Sequence, residues 1–447
     1  MNPTVWSRYG HDYPITTLFV LFVVWKSVII LITLAAPGVG YDTSTSLLSW
    51  EDGGRQIISS APDGMSNLWL KFVRWDGIYY THMSDHGHVF EQEWAFGIGL
   101  STAISWTSER LSELGITLEP SSLLAGVLLS HLTHWLSVVQ LWALTKALIG
   151  DNTSNSLLPF SAAALHIISP AGVFLSAPSS ESCFAYLSMS GFLAYFHATR
   201  YFRRGLVLAG CTTMIYAGLF FSVATMVRSN GILAGIPFLV EAVTTLLEML
   251  SRGLSASRLF QLASVVAGGL LVAFGMVYPQ GLAYRDYCYG RGPEARRPWC
   301  NQTIPSIFTW VQSHYWNVGP FRYWTVSNLP LFVLAAPTLS VLTYSALDVL
   351  RRPQFLSREM LQSPTSSSAG KRTLLSLALP QLMLAVLAFT SYHVQIITRL
   401  SSGYPLWYIW LATKLQTEPR RTSVVIRWMV IYALVQAGLY ASFLPPA

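Results

Sequence analysis

Between Phe72 and Glu93 the chain reads FVRWDGIYYTHMSDHGHVFEQE, which sets four acids (Asp76, Asp85, Glu91, Glu93) beside three histidines (His82, His86, His88). The whole chain has only 21 acids and 10 histidines, so this density raises a suspicion of chemistry. Arg74-Trp75-Asp76 combines a cation, an aromatic plate and a carboxylate. Sugar transfer needs those three groups: a carboxylate to take a proton from an attacking hydroxyl, a flat face for a sugar ring, and a cation for a phosphate leaving group. The alternative is an interfacial salt bridge with a tryptophan anchor. His86/His88 and Glu91/Glu93 suggest either a metal or solvated loop groups. Residues two apart do not share a helix face, so metal binding there would need a loop or strand. Arg228 and Arg399 fall at the ends of apolar runs, where they either bind a lipid phosphate or snorkel to the interface. No nucleotide, dinucleotide or zinc motif occurs with the required spacing, and no metal ligands are assigned.

The elements that position these residues are greasy. The 447 residues are 52% hydrophobic and 11% charged, with mean hydropathy +0.43. Soluble domains carry about 25% charged residues. Together with 16 Trp, 21 Tyr and 22 Phe, this indicates an all-α polytopic membrane protein with aromatic belts. Eleven apolar runs read as spans: Ile15–Ala36, Ser121–Ile149, Leu157–Leu175, Ser182–Ala198, Leu206–Val227, Ile232–Leu250, Leu259–Tyr278, Leu329–Leu350, Leu374–Ser391, Leu400–Leu415 and Val424–Phe443. Leu400–Leu415 is short, holds Pro405, and also suits a re-entrant segment. The first run is long for a cleaved signal and suits an anchor.

Basic residues orient the chain. With a cytosolic N-terminus, fourteen Lys and Arg fall in four cytosolic connections (200–204, 251–258, 351–372 and 414–427), while the short opposite connections carry only Arg228 and Arg399. The net charge of +7 therefore reflects loop arginines and not a nucleic-acid surface. Residues 37–120 and 279–328 become luminal loops of one membrane domain. Trp94–Trp106 is too short to span and suits a helix lying in the interface. Cys288 and Cys300 share the second loop and form either a disulfide or two free thiols. Asn301-Gln-Thr303 is a luminal glycosylation sequon, whereas Asn152-Thr-Ser154 falls on the cytosolic side. Ser363–Gly370 has linker composition.

Six stretches in order resemble the PIG-V family, which adds the second mannose in glycosylphosphatidylinositol (GPI) anchor synthesis. They are RWDGIYY (74–80), FEQEWAFG (90–97), SAPSSESCFAYLSMSGF (176–192), ATMVRSNG (224–231), HYWNVGPFRYWTVSNLPLFVLAAP (314–337) and HVQIITRLSSGYP (393–405). The resemblance implies a GT-C glycosyltransferase fold in the endoplasmic reticulum membrane, with an essential acid in the first luminal loop. It implies dolichyl-phosphate-mannose as donor, a one-mannose GPI lipid as acceptor, and an α-1,6 linkage. Asp76 is then the catalytic acid. Arg74, Trp75, Glu91, Glu93, Arg228, Asn230, His393 and Arg399 are candidates for substrate contact. No cofactor beyond the donor is called for, a divalent metal stays open, and a small accessory membrane subunit is compatible with the reading. The rivals are a GT-C enzyme with another acceptor and a transporter or scramblase of lipid-linked sugars. A transporter would hold its ionisable groups near the midplane, where only Lys26, His131, His134 and His166 lie.

Overall fold

The computed structural model describes residues 10–37, 69–116, 121–149, 157–352 and 367–442, and all regular structure among them is helical. The order is α1 (Pro14–Ala35), α2 (Asp76–His86), α3 (Ile98–Glu113), α4 (Ser121–Ile149), α5 (Leu158–Ile167), α6 (Ser180–Arg203), α7 (Val207–Val227), α8 (Gly235–Arg252), α9 (Ala256–Tyr287), α10 (Ile307–His314), α11 (Leu329–Arg351), α12 (Ser367–Thr390), α13 (Pro405–Thr417) and α14 (Pro419–Ala441). Eight helices, α1, α4, α7, α8, α9, α11, α12 and α14, are long and apolar enough to cross a membrane. Asn152, residues 38–68 of the first loop and Ser363–Ser366 lie outside the described residues.

Two of the eleven expected spans take another form, and a third is longer than expected. The run Leu157–Leu175 is broken: α5 stops at Ile167, ahead of Pro170, which has no N–H to continue a helix. Gly172 follows with φ +50°, where a Cβ would meet Gln436 Oε1 at 2.8 Å. Lys26 of α1 donates to the Leu175 carbonyl at 2.5 Å and to Ser176 Oγ at 2.8 Å. Its Nζ thus satisfies a backbone group that the break exposes, a need that is acute inside a membrane. The run Ser182–Ala198 extends at both ends to form α6, packed between α4 and α7. Its serines bond neighbouring carbonyls, Ser182 to Leu175 at 3.0 Å and Ser188 to Gly403 at 2.7 Å. The run Leu400–Leu415 becomes α13, with Pro405 at its first turn, where a missing N–H costs nothing. Its 13 residues rise about 20 Å, short of the roughly 30 Å hydrocarbon core, and Pro405–Thr413 is buried throughout.

Three boundaries also move. Helix α9 carries Pro279 inside it and runs 32 residues to Tyr287, so the second loop starts at Cys288 rather than at 279. The interfacial helix starts at Ile98 and continues to Glu113. Ser367–Gly370, read as linker, already belongs to α12.

Antiparallel order decides what shares an end. The helices α6, α8, α11 and α13 end in Arg203, Arg252, Arg351 and Lys414 within their last turns. Arg372 near the start of α12 pairs with Glu248 of α8 at 2.5 Å. The opposite ends carry Glu181, Arg228, Asn230 and the turn from Ser391 to Gly403. Helices α2, α3 and α10 gather at that second end, and the candidate chemistry collects there with them.

Candidate active site

The turn before α2 sets the site. Trp75 has φ +52° and ψ −124°, a conformation unfavourable for a residue with a side chain. Backbone strain of this kind persists only where the surroundings enforce it. Here the hydroxyl of Tyr440, on α14, bridges two backbone carbonyls just ahead of Trp75, 2.9 Å from that of Phe72 and 3.1 Å from that of Arg74. Asp76 is the first residue of α2, where the helix end favours a negative charge.

Asp76 meets Arg399 directly and is linked through it to Glu181, an acid that the sequence reading did not single out, and so to a second arginine, Arg228. Arg399 Nη2 lies 2.8 Å from Asp76 Oδ2, and its Nε lies 3.5 Å from Glu181 Oε1. Arg228 Nη1 donates to the same Glu181 oxygen at 2.6 Å and to Ser180 Oγ at 2.7 Å. Two cations and two anions form a neutral quartet. Burial works against the Arg399 charge, but the charges of Asp76 and Glu181 outweigh it and raise the pKa of the guanidinium. The Phe174 ring packs 4.3 Å from that guanidinium. Gly97, just ahead of α3, lets the loop approach the Arg228 turn: a Cβ there would lie 2.0 Å from the Met226 carbonyl.

The quartet opens onto a cavity of about 1200 Å³. Trp75, Asp76, Glu93, Arg228, Asn230, His393 and Arg399 all border it. Arg74 and Glu91, both buried, do not. Asn230 donates to the Tyr404 hydroxyl at 3.2 Å and leaves its buried Oδ1 without a donor. His393 Nε2 lies 2.9 Å from the Trp316 carbonyl, and its ring stacks on Tyr323 at 4.6 Å. Aromatic rings line the wall, among them Tyr79 stacked on Phe96 at 4.6 Å. Arg322 also borders the cavity; it is exposed and has no acid partner among the described residues.

The remaining acids of the opening stretch are fasteners. Glu93 accepts the Val89 and Phe90 N–H groups at 2.7 and 2.8 Å and lies 2.6 Å from His82 Nδ1, which presents the imidazole to the cavity. Asp85 accepts from Ser122 at 2.9 Å, tying α2 to α4, and burial raises its pKa. Glu91 holds the second loop: Arg297 Nε and Nη2 donate at 2.7 and 2.6 Å, Trp299 Nε1 at 3.0 Å and the Tyr315 hydroxyl at 3.0 Å. Burial pushes the Glu91 carboxyl up, but these donors win and lower its pKa. Cys288 and Cys300 are joined in a disulfide beside this knot. With Trp94, Trp299, Ile307 and Val311 they form a small core of their own. Asn301 follows directly and is exposed. Among the described residues no group of three or more His, Cys, Asp or Glu side chains is arranged to hold a metal ion.

The sequence reading missed Glu181, Arg322 and Tyr440, and it named His82 only as one of a cluster. Glu181 had a signal: an acid among serines at the mouth of an apolar run, where a helix start favours it. Arg322 had one too, a cation in a loop otherwise rich in aromatic residues. Tyr440 had none, because only the tertiary fold brings α14 beside Asp76.

A multi-pass helical bundle with an acid–arginine cluster facing an aromatic cavity at one end defines a membrane-embedded enzyme of sugar-transfer type. Residues 15–447 match the family described as Mannosyltransferase (PIG-V). The chain is 42% identical to GPI mannosyltransferase 2 of Aspergillus oryzae, over 97% of its own length and 96% of that protein. It is 42% identical to the protein of the same name from Aspergillus fumigatus, over 97% and 94%, and 41% identical to that of Gibberella zeae, over 97% and 98%. The chain belongs to the PIG-V mannosyltransferase family. Among solved structures it is similar to the Archaeoglobus fulgidus oligosaccharyltransferase, with a TM-score of 0.42 and 13% identity over 98% of this chain and 55% of that one.

Proposed function

We propose that the protein transfers mannose from dolichyl-phosphate-mannose to the one-mannose GPI precursor in α-1,6 linkage, with inversion, at the luminal face of the endoplasmic reticulum membrane. The name shared by its fungal relatives supports the acceptor class. The observation that carries the mechanism is the contact of Arg399 with Asp76 at the cavity wall. The acceptor 6-hydroxyl attacks C1 of the donor mannose, and Asp76 takes the hydroxyl proton. The C1–O bond to phosphate breaks, and dolichyl phosphate leaves with the electron pair. Arg228 and Arg399 hold that phosphate in charge-assisted hydrogen bonds. The leaving oxygen gains negative charge in the transition state, so cations already in place stabilise that state more than the ground state.

Trp75 and the cavity aromatics pack against sugar rings, and Asn230 and His393 offer hydrogen bonds to hydroxyls. Glu93 contributes by orienting His82. Arg322, being unpaired, suits the anionic part of the acceptor. The protein needs no cofactor for this step beyond the donor, and its partners are the two lipid substrates and the membrane.

The test is transfer of labelled mannose from dolichyl-phosphate-mannose to a synthetic one-mannose GPI by the purified protein. Formation of a two-mannose product with a 1,6 linkage is expected. Labelling of a protein serine or of a dolichol-linked glycan, with none of the GPI, would overturn the acceptor; no transfer to any of them would overturn the activity.

A further inference from the structure

Glu181 is 1% exposed, and its hydrogen bonding is lopsided. Its Oε1 serves both arginines. Its Oε2 has no hydrogen-bond donor, because the neighbouring Ser179 hydroxyl is committed to the Phe174 carbonyl at 2.6 Å. Buried carboxylates with a purely structural task fill both oxygens, since an unmet one costs free energy. Glu91 and Glu93 in the same protein do so. The under-filled Glu181 therefore calls for another account.

That account follows from the charges. The quartet of Asp76, Glu181, Arg228 and Arg399 is neutral. The donor is a phosphodiester with one negative charge, and the leaving dolichyl phosphate is a monoester that gains a second. In the same step Asp76 receives the acceptor proton and loses its charge. Arg399, matched until then by Asp76, becomes available to the phosphate at the moment the phosphate needs it. The total charge of site plus donor does not change. This transfer works only if Arg399 is not bound to Asp76 alone. Glu181 supplies a competing attraction at Nε, on the same guanidinium edge as the Asp76 contact at Nη2, and it holds Arg228 on the same oxygen.

We propose that Glu181 is a positioning residue for mannosyl transfer, keeping Arg228 and Arg399 together as one anion-binding unit and keeping Arg399 divided between Asp76 and the phosphate. The proposal rests on the reading of function above. Glu181 acts through the arginines and touches no reacting atom.

The experiment is the pH profile of transfer, with inhibition by the product dolichyl phosphate, in wild type, Glu181→Gln and Glu181→Asp. Around Asp76 the charged and titratable groups are Arg74, Tyr79 and Tyr80 on its own segment, Glu181 on α6, Arg228 after α7, Arg399, and Tyr432 and Tyr440 on α14. Asp76 must be ionised to act as base, and since His82, Glu93 and His393 also border the cavity, the limb is compared between variants and not assigned to one group. Glu181→Gln removes a nearby negative charge and leaves Arg399 to Asp76 alone. The acid limb is expected to move down by about 1 pH unit, with kcat reduced at least about 10-fold. The freed positive charge should bind dolichyl phosphate several-fold tighter, an effect that damage to the fold would not produce.

Glu181→Asp keeps the charge but is one methylene too short to serve both arginines. Its limb should stay in place while kcat falls. An unmoved limb with unchanged product inhibition in Glu181→Gln overturns the proposal. If that variant does not fold, wild-type kcat in Glu181→Asp overturns it. Absence of transfer by the wild-type protein would instead overturn the proposed function on which the proposal rests.

Discussion

Glu91 and Glu181 are both buried and both bind arginine, yet they sit in contrasting regions. Glu91 receives four donors on two oxygens, lies beside a disulfide and does not line the cavity that the arginines face. Glu181 shares one oxygen between two arginines and leaves the other bare, and those arginines line the cavity. A saturated carboxylate fixes geometry. An unsaturated one leaves its partners free to exchange. One region is therefore built to hold, and the other to move charge.

The largest effect that sharpens this contrast belongs to the arginines. Arg399→Gln should lower kcat by about 100-fold or more, as for loss of a preorganised transition-state donor, with acceptor KM nearly unchanged. Arg228→Gln should cost less, because Arg228 touches Glu181 but not Asp76. Steady-state kinetics with both substrates varied checks the ranking. Equal losses at the two positions would mean that contact with Asp76 gives Arg399 no special part.

An intermediate effect belongs to the knot. Glu91→Gln should destabilise the protein by roughly 1–3 kcal/mol, the cost of leaving buried donors poorly met. Rate per folded molecule should stay within a few-fold of wild type. The pH dependence has a definite sign. The Glu91 pKa is lowered on folding, so its stabilisation is present above the unfolded value of about 4.3 and is lost as pH falls through the folded value. Thermal unfolding between pH 3 and 7 should show a larger loss in wild type than in Glu91→Gln. The smallest effect is that of Arg322→Gln, which should raise acceptor KM only a few-fold, since an exposed unpaired cation contributes little. A fall in kcat there would place Arg322 with the donor phosphate instead.

Sequence patterns read well where the signal is local. Asp76, Arg228 and Arg399 stand out as charges at the edges of apolar runs, and alternating basic connections separate one end of the bundle from the other. Two features were lost because hydropathy averages over a window. The break between α5 and α6 hides in an apolar stretch whose Pro170 and Gly172 are its only marks. Glu181 fell just outside the expected span starting at Ser182, although α6 begins at Ser180 and includes it. Other features are tertiary and carry no local sign. The sharing of Glu181 by residues 47 and 218 positions away, and the clamp of Tyr440 on the Asp76 turn, appear only once the helices are packed. The reading of Glu91 as a substrate contact illustrates the same limit: a chemically apt residue type in a promising stretch lies away from the cavity and fastens the second loop, whereas Glu93 does border the cavity.

The most direct measurement compares Asp76→Asn with Glu91→Gln for mannosyl transfer per folded molecule and for thermal stability. Loss of a general base lowers rate by about 10²- to 10⁴-fold, so Asp76→Asn should lose that much transfer while unfolding at or near the wild-type temperature. Glu91→Gln should do the reverse, keeping its rate and losing stability. Near-normal transfer by Asp76→Asn, or a loss of rate in folded Glu91→Gln as large as in Asp76→Asn, would contradict the division of labour between the two regions.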